Sequence, residues 1–263
     1  MQHDSLNRAG LLVPLAAVVL SACTKPQPDA KKAEPTSIAT THSAELAPKP
    51  KRTGAIETVD VPNDRKVLVV LGEGERPIVH LHGMCSEPRP DLEAWASSVS
   101  EHGTVIALEA DAACANGNGR TWTTDTDAID ARVSGAIAAV EHARGVDLDR
   151  GELVLIGESM GATRATTLAR RFPEKYTRLV LVGGPETPSA KDLRTAKAVA
   201  LLAGEKEPQE KMRQGTVGLE SAGLKARFWE LADATHGNYG PEGGQTMSEA
   251  VAFVARSSSH ATH

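Results

Sequence analysis

The sequence lacks the features by which proteins bind nucleic acid. Aromatic residues make up only 3% of its 263 residues, the formal net charge is −5, and charges of both signs are mixed along the chain. Nucleic-acid-binding domains instead concentrate basic residues on one face, commonly beside aromatic side chains that stack on bases. We therefore expect no nucleic-acid partner.

Patterns typical of metal sites and of solenoid repeats are missing as well. His80 and His82 are separated by one residue in a predicted strand, so their side chains should face opposite sides of a sheet. No cluster of cysteines or carboxylates has the spacing of a zinc site, and no repeat of solenoid period occurs. We expect neither a metal nor another cofactor.

The apolar stretch near the N-terminus is too short to span a membrane as a helix, which needs about 20 residues. Residues 10–20, GLLVPLAAVVL, match a signal-peptide core instead. The stretch ends in LSAC (20–23), which resembles the lipobox of bacterial lipoproteins, where cleavage precedes a lipidated cysteine. We expect residues 1–22 to be a lipoprotein signal peptide. Cys23 would then carry acyl chains that anchor an exported protein on the periplasmic or cell-surface side of a bacterial membrane. The alternative is a plain secretory signal followed by a chance cysteine.

Composition divides the remaining chain into a tether, one domain and a tail. Residues 23–60 are rich in proline and polar residues and show no hydrophobic periodicity, so we expect a lipid anchor followed by a disordered tether. Residues 257–263 should form a disordered tail. The segment 61–256 between them is long enough for one domain with a substantial core, and we expect a monomer.

Within this segment, short apolar runs alternate with amphipathic stretches. The runs are continuous rather than alternating, which is typical of parallel strands buried on both faces. The pattern predicts an α/β protein with a mostly parallel central sheet and helices on both faces. Strands are predicted at 67–72, 77–83, 104–110, 152–158, 178–184, 198–204 and 226–231, and helices at 124–143, 160–171, 207–222 and 242–256.

Ser159 is the candidate nucleophile of this sheet. It lies in Gly157-Glu158-Ser159-Met160-Gly161, a G-x-S-x-G sequence between a predicted strand and a predicted helix. In that context the glycines permit a sharp turn that exposes the serine hydroxyl at the start of the helix. The alternative is a serine in an ordinary glycine-rich loop.

A serine nucleophile needs a base and an acid that orients the base. His236 follows the last predicted strand and is the best candidate for the base, although a solvent-exposed loop histidine is the alternative. Two carboxylates, Glu205 and Glu207, follow the strand 198–204, and either could be the acid or a surface charge. The backbone amides of Met84 and Met160 are the candidate oxyanion donors.

Two cysteines follow different strands at the same predicted sheet edge. In an exported protein Cys85 and Cys114 should pair, which would tie the loop that carries Met84 to its neighbour. Two separate buried cysteines are the alternative. The tryptophans are expected in the core, with Trp122 as the one that could lie over the site.

The chain order of Ser159, an acid and His236, with His82-Gly83 after an early strand, resembles the α/β-hydrolase family over roughly residues 65–256. The resemblance implies Glu207 as the acid, because the family's acid often lies three residues after a glycine such as Gly204. It also implies a structural role for His82. Only about a dozen residues separate the predicted strands that end at 184 and begin at 198, so we expect a minimal form without a lid insertion.

The resemblance implies a serine hydrolase that cleaves a carboxylic ester or a related acyl bond through an acyl-enzyme at Ser159. Its substrate would be a small soluble ester or an acyl group on a polymer, because a site without a lid is open. A peptidase with the same triad and a catalytically inactive binding lipoprotein are the alternatives.

Overall fold

The computed structural model describes residues 54–115 and 117–256. The predicted signal peptide, the predicted lipidation site Cys23, most of the predicted tether and the predicted tail at 257–263 lie outside these residues. Among the residues described, no helix combines the length and hydrophobicity needed to cross a bilayer.

Eight strands form one sheet whose centre is parallel. From one edge to the other they are ordered β1 (Glu57–Val59), β2 (Val67–Val70), β4 (Thr104–Leu108), β3 (Pro77–Leu81), β7 (Val154–Glu158), β8 (Arg178–Val182), β9 (Ala198–Gly204) and β10 (Ala226–Leu231). The strands from β4 to β10 in this order are mutually parallel, whereas β1 and β2 pair antiparallel at one edge. A separate two-stranded ribbon consists of β5 (Ala112–Ala113) and β6 (Arg120–Thr121).

Helices cover both faces of the sheet, as predicted. They are α1 (Pro88–Val99), α2 (Thr126–Arg144), α3 (Met160–Arg171), α4 (Glu210–Ser221) and α5 (Gly243–Ala255), with short 3₁₀ helices at Ser100–His102 and Arg150–Glu152. Side chains of α1 and α5 join one hydrophobic core, and those of α2, α3 and α4 join the other. Along β7, Val154 and Ile156 belong to the first core and Leu155 to the second. The α/β-hydrolase-like architecture is therefore confirmed in its layers and its parallel centre.

Some elements differ from the sequence-based prediction. Helix α1 was not predicted. Strand β1 lies in the segment that was predicted to be tether. A three-residue strand is ordered only by the neighbour with which it pairs, so its own sequence does not predict it. The helix predicted from 207 begins at Glu210, so Glu207 lies in the turn that precedes α4. The connection between β8 and β9 contains no helix or strand, and the predicted absence of a lid insertion is confirmed.

A disulfide joins the loop after β3 to the segment after β4. Cys85 and Cys114 are bonded, with their Cα atoms 5.6 Å apart. The alternative of two separate buried cysteines is therefore wrong. Nearby, the amide of Arg120 donates to the carbonyl oxygen of Ser86 at 3.1 Å, so the β5–β6 ribbon and the loop after β3 form one connected surface.

Removing this bridge should lower the free energy of unfolding. The bridge closes a loop with a sequence separation of 29 residues, and loss of that constraint on the unfolded chain is worth about 3–4 kcal/mol. The Cys85→Ser/Cys114→Ser variant should show this decrease in urea unfolding. A reducing agent should bring the wild type to the level of the variant and leave the variant unchanged; equal stability of both proteins in oxidising buffer would contradict the expectation.

Candidate active site

Ser159 occupies a strained turn between β7 and α3. Its backbone has φ 51° and ψ −114°, a combination that side-chain-bearing residues rarely adopt. Such a conformation costs about 1–3 kcal/mol and persists only where the surroundings impose it. Here the Ser159 amide donates to the carbonyl oxygen of Val182 at 2.8 Å, which ties the turn to the end of β8.

The two glycines around Ser159 permit the close packing that holds this turn. A Cβ atom on Gly161 would lie 1.9 Å from the carbonyl oxygen of Leu81 in β3. A Cβ atom on Gly157 would lie 2.4 Å from the carbonyl oxygen of Gly161. Any larger residue would therefore push α3 away from β3 and β7 and relax the turn. The glycines of the motif are therefore required by space, and neither of them has a positive φ.

His236 and Glu207 complete a hydrogen-bonded line with Ser159. His236 Nε2 lies 2.9 Å from Ser159 Oγ, and His236 Nδ1 lies 2.6 Å from Glu207 Oε2. The carboxylate can only accept, so Nδ1–H donates to Glu207 and Nε2 is left to accept from the serine hydroxyl. The other carboxylate oxygen of Glu207 accepts from the Gly204 amide at 2.6 Å, which orients the acid. The structure thus brings together three residues that the sequence places far apart.

Glu205 points elsewhere. Its Oε2 accepts a hydrogen bond from the Asp233 amide at 2.9 Å, and the residue is exposed. Of the two carboxylates that the sequence offered, only Glu207 contacts His236 among the described interactions.

The loop after β3 lies directly against the Ser159 turn. A Cβ atom on Gly83 would come within 3.3 Å of Ser159 Cβ, so Met84 follows immediately beside the serine. Met160 is the first residue of α3, where a backbone amide has no intrahelical acceptor. Both candidate oxyanion amides therefore belong to segments that meet at Ser159. The Met84 side chain is 60% exposed and faces solvent.

His82 holds this loop in place from within the core. Its Nδ1 lies 2.8 Å from the Gly83 carbonyl oxygen, and its Nε2 accepts from the Ala110 amide at 3.0 Å. Trp122 Nε1 donates to the His82 carbonyl oxygen at 2.8 Å, so Trp122 is a buried core residue rather than a cover over the site. Burial lowers the pKa of His82 to about 4, although the bond to Gly83 opposes this, and the ring stays neutral.

Glu158 is a buried carboxylate beside the catalytic candidates and was not among the predicted site residues. It is 5% exposed, and its Oε1 lies 3.8 Å from His236 Nε2. Burial raises its pKa to about 7, and the nearby charges of Asp91 and Glu207 act in the same direction. His236 and a hydrogen bond from the Gly83 backbone oppose the rise. The sequence feature that could have indicated a role for Glu158 is its position next to Ser159, at the end of a predicted buried strand.

The site is open, and its residues offer no metal centre. The His236 side chain is 52% exposed, and the short β8–β9 connection leaves it uncovered. Across the described ranges, no group of three or more histidine, cysteine, aspartate or glutamate residues could hold a metal ion.

Comparison with known proteins finds similarity in fold. No protein-family model matches the chain, and no curated protein matches it by sequence. Among solved structures, the fluorophosphonate-binding serine hydrolase FphF of Staphylococcus aureus superposes with a TM-score of 0.54 and 14% identity, covering 76% of this chain and 97% of its own. Esterase PE8 gives a TM-score of 0.54 and 16% identity, covering 75% and 100%. An esterase from Rhizomucor miehei gives 0.55 and 14%, covering 81% and 84%.

The chain has the α/β-hydrolase fold. Identities this low show the fold alone, and the reaction must be argued from the site itself.

Acid should destabilise the protein through His82. The unfolded chain binds a proton at this histidine near pH 6.5, whereas the folded protein resists protonation down to about pH 4. Stability from His82 is therefore complete above pH 6.5 and is lost as the pH falls towards 4, by up to about 3 kcal/mol. Urea unfolding of the wild type and of His82→Gln should show a stability difference that shrinks between pH 7 and pH 4.5. His142→Gln, which removes an exposed imidazole of α2, is the control, and a difference independent of pH would refute the assignment.

Proposed function

We propose that this protein is a serine hydrolase that cleaves a carboxylic ester or a related acyl bond through an acyl-enzyme at Ser159. The observation that carries the proposal is the unbroken line of hydrogen bonds from Ser159 Oγ through His236 to Glu207, at 2.9 and 2.6 Å. A serine on a strained turn, a base in contact with it and an acid on the far ring nitrogen form the arrangement that activates a hydroxyl for acyl transfer.

In the first half of the reaction, Ser159 Oγ attacks the carbonyl carbon and its proton passes to His236 Nε2. The carbonyl electron pair moves onto oxygen, and the amides of Met84 and Met160 donate to the oxyanion that forms. Glu207 accepts from Nδ1–H and stabilises the protonated ring without taking its proton. His236 then gives the Nε2 proton to the leaving oxygen as the carbon–oxygen bond breaks.

In the second half, water replaces the leaving group. His236 Nε2 takes a proton from this water as its oxygen attacks the acyl carbon, and returns the proton to Ser159 Oγ as the acyl bond breaks. The positive end of α3 and the two amides stabilise the second oxyanion in the same way. The products are a carboxylic acid and the free serine.

The exposure of the site is compatible with a substrate that binds without movement of a protein lid. His236 is half exposed, and no helix of the β8–β9 connection covers it. A small soluble ester or an acyl group displayed on a polymer can reach Ser159 in this arrangement. Activation by a lipid interface is not expected, because there is no lid to displace.

Burial of the acidic groups near Ser159 favours ester cleavage over removal of residues from a peptide's amino terminus. Such a peptidase needs an accessible acidic cluster that binds the substrate's ammonium group. Glu158 and Asp91 are both 5% exposed, and Asp91 accepts from His80 at 2.8 Å. These carboxylates therefore do not offer a pocket for a peptide amine.

A fluorophosphonate probe and a short-chain p-nitrophenyl ester test the proposal directly. We expect the wild type to be labelled and to turn over the ester. Ser159→Ala should lose labelling entirely and at least about a thousandfold in kcat, because no nucleophile remains. Labelling is read by in-gel fluorescence, and turnover by release of nitrophenolate.

The alternative of an inactive binding protein makes the opposite prediction. A folded wild type that is neither labelled nor active would contradict the proposal. Circular dichroism of both proteins establishes that they are folded, and labelling that persists in Ser159→Ala would move the nucleophile elsewhere.

The two carboxylates after β9 should differ sharply in their effect on activity. Glu207→Gln removes the charge that holds His236 and should lower kcat by about 100-fold or more, since loss of the triad acid is severe. Glu205→Gln should change kcat less than about threefold, because the one described hydrogen bond of the Glu205 side chain is with the Asp233 amide, away from His236. Steady-state ester hydrolysis at fixed pH measures both, and the reverse ranking would assign the acid to Glu205.

A further inference from the structure

A buried cluster of ionisable groups lies behind the Ser159–His236 pair. It contains Glu158 at the end of β7, Asp91 in the first turn of α1, His80 in β3, and Tyr239 in the loop that also carries His236. His80 Nε2 lies 2.8 Å from Asp91 Oδ2, and its ring packs edge-on against Trp95 at 5.2 Å between centroids. None of these groups is used by the triad.

Glu158 is the member of this cluster that reaches the site. Its Oε1 lies 3.8 Å from His236 Nε2, the nitrogen that faces Ser159 Oγ. Its Oε2 lies so near Gly83 that a Cβ atom there would come within 2.2 Å of it. The carboxylate is thus enclosed between the Ser159 turn and the loop that carries Met84, and its distance from Nε2 is defined by packing.

We propose that Glu158 is a positioning residue of the hydrolase site, whose ionised carboxylate stabilises the protonated ring of His236 from the Nε2 side while Glu207 does so from the Nδ1 side. The inference rests on the proposed serine hydrolase function.

The distance explains why Glu158 can assist without competing for the proton. A separation of 3.8 Å exceeds hydrogen-bond length, so the carboxylate attracts the charged ring without capturing Nε2–H. The proton that leaves Ser159 Oγ stays on Nε2 and passes to the leaving oxygen, and Glu158 keeps the same charge throughout. Its enclosure makes this attraction stronger than it would be at an exposed position.

The surroundings of Glu158 make this assistance dependent on pH. Burial, Asp91 and Glu207 raise the pKa of Glu158 to about 7, against the opposing effects of His236 and the Gly83 amide. Tyr239 packs in the same cluster. Burial, together with the charges of Asp91 and Glu158, raises the pKa of Tyr239 well above its usual value, so it remains neutral. Below pH 7 Glu158 is protonated and gives no charge to His236; above pH 7 it is ionised and does so.

The test is the pH dependence of ester hydrolysis in Glu158→Gln, which keeps the shape of the side chain and removes its charge. We expect the ratio of wild-type to variant kcat to be about ten at pH 8.5 and close to one at pH 5.5. Titration of groups that do not interact with Glu158 affects both proteins alike and cancels in the ratio. Glu242→Gln, which removes an exposed carboxylate at the start of α5, is the control and should match the wild type at every pH.

Asp91→Asn supplies an independent second variant. It removes a charge that disfavours ionisation of Glu158, so the rise of kcat with pH should move to lower pH. Thermal unfolding separates these effects from misfolding. Glu158→Gln should melt no lower than the wild type at pH 8.5, because a buried amide costs less than a buried carboxylate.

The outcomes distinguish this inference from the function on which it rests. A wild type without activity overturns both. An active wild type with a ratio that is the same at pH 5.5 and pH 8.5, in a folded Glu158→Gln variant, overturns the role of Glu158 alone. An unmoved profile in Asp91→Asn would also count against it.

Discussion

The strained turn at Ser159 is the constraint on which the rest of the site depends. Its backbone, with φ at 51°, is stable only because β3, β7, β8 and α3 converge on it with almost no free space. Gly157 and Gly161 allow this approach, and the bond from the Ser159 amide to Val182 ties the turn to β8. The parallel centre of the sheet brings these strand ends to one edge. The hydroxyl is therefore presented by a tightly packed turn, and the partners that reach it come from more exposed loops.

The two ring nitrogens of His236 face different carboxylates at different distances. Glu207 makes a hydrogen bond at Nδ1 and is itself oriented by the Gly204 amide. Glu158 approaches Nε2 from the interior, where its ionised form is costly to bury. The strained turn and the buried carboxylate both oppose stability, and the two hydrophobic cores offset them. Local costs of this kind are concentrated where chemistry requires a defined geometry.

The loop that carries Met84, the candidate oxyanion donor, is held by a different set of contacts. Hydrogen bonds of the buried side chains of His82 and Trp122 hold the start of the loop after β3. The Cys85–Cys114 disulfide links the same loop to the segment after β4. Neutral His82 can donate from one nitrogen and accept at the other, which protonation would abolish. The loop is therefore rigid at Gly83, whereas the Met84 side chain beyond it is exposed to solvent.

The alternation of strands and helices could be predicted from the amino-acid sequence, because buried parallel strands leave continuous apolar runs. The motif and the predicted strand ends also indicated Ser159 and His236, whereas the preference for Glu207 over Glu205 came from the resemblance to the α/β-hydrolase family. Which carboxylate contacts His236 became clear from the folded protein, since the choice between Glu205 and Glu207 depends on where the turn before α4 directs each side chain. Helix α1 was not predicted, and therefore the contact between Asp91 of this helix and His80 was not predicted either. The approach of Glu158 to His236 was equally hidden, because it joins residues 78 positions apart whose contact depends on how the loop after β10 folds over the end of β7.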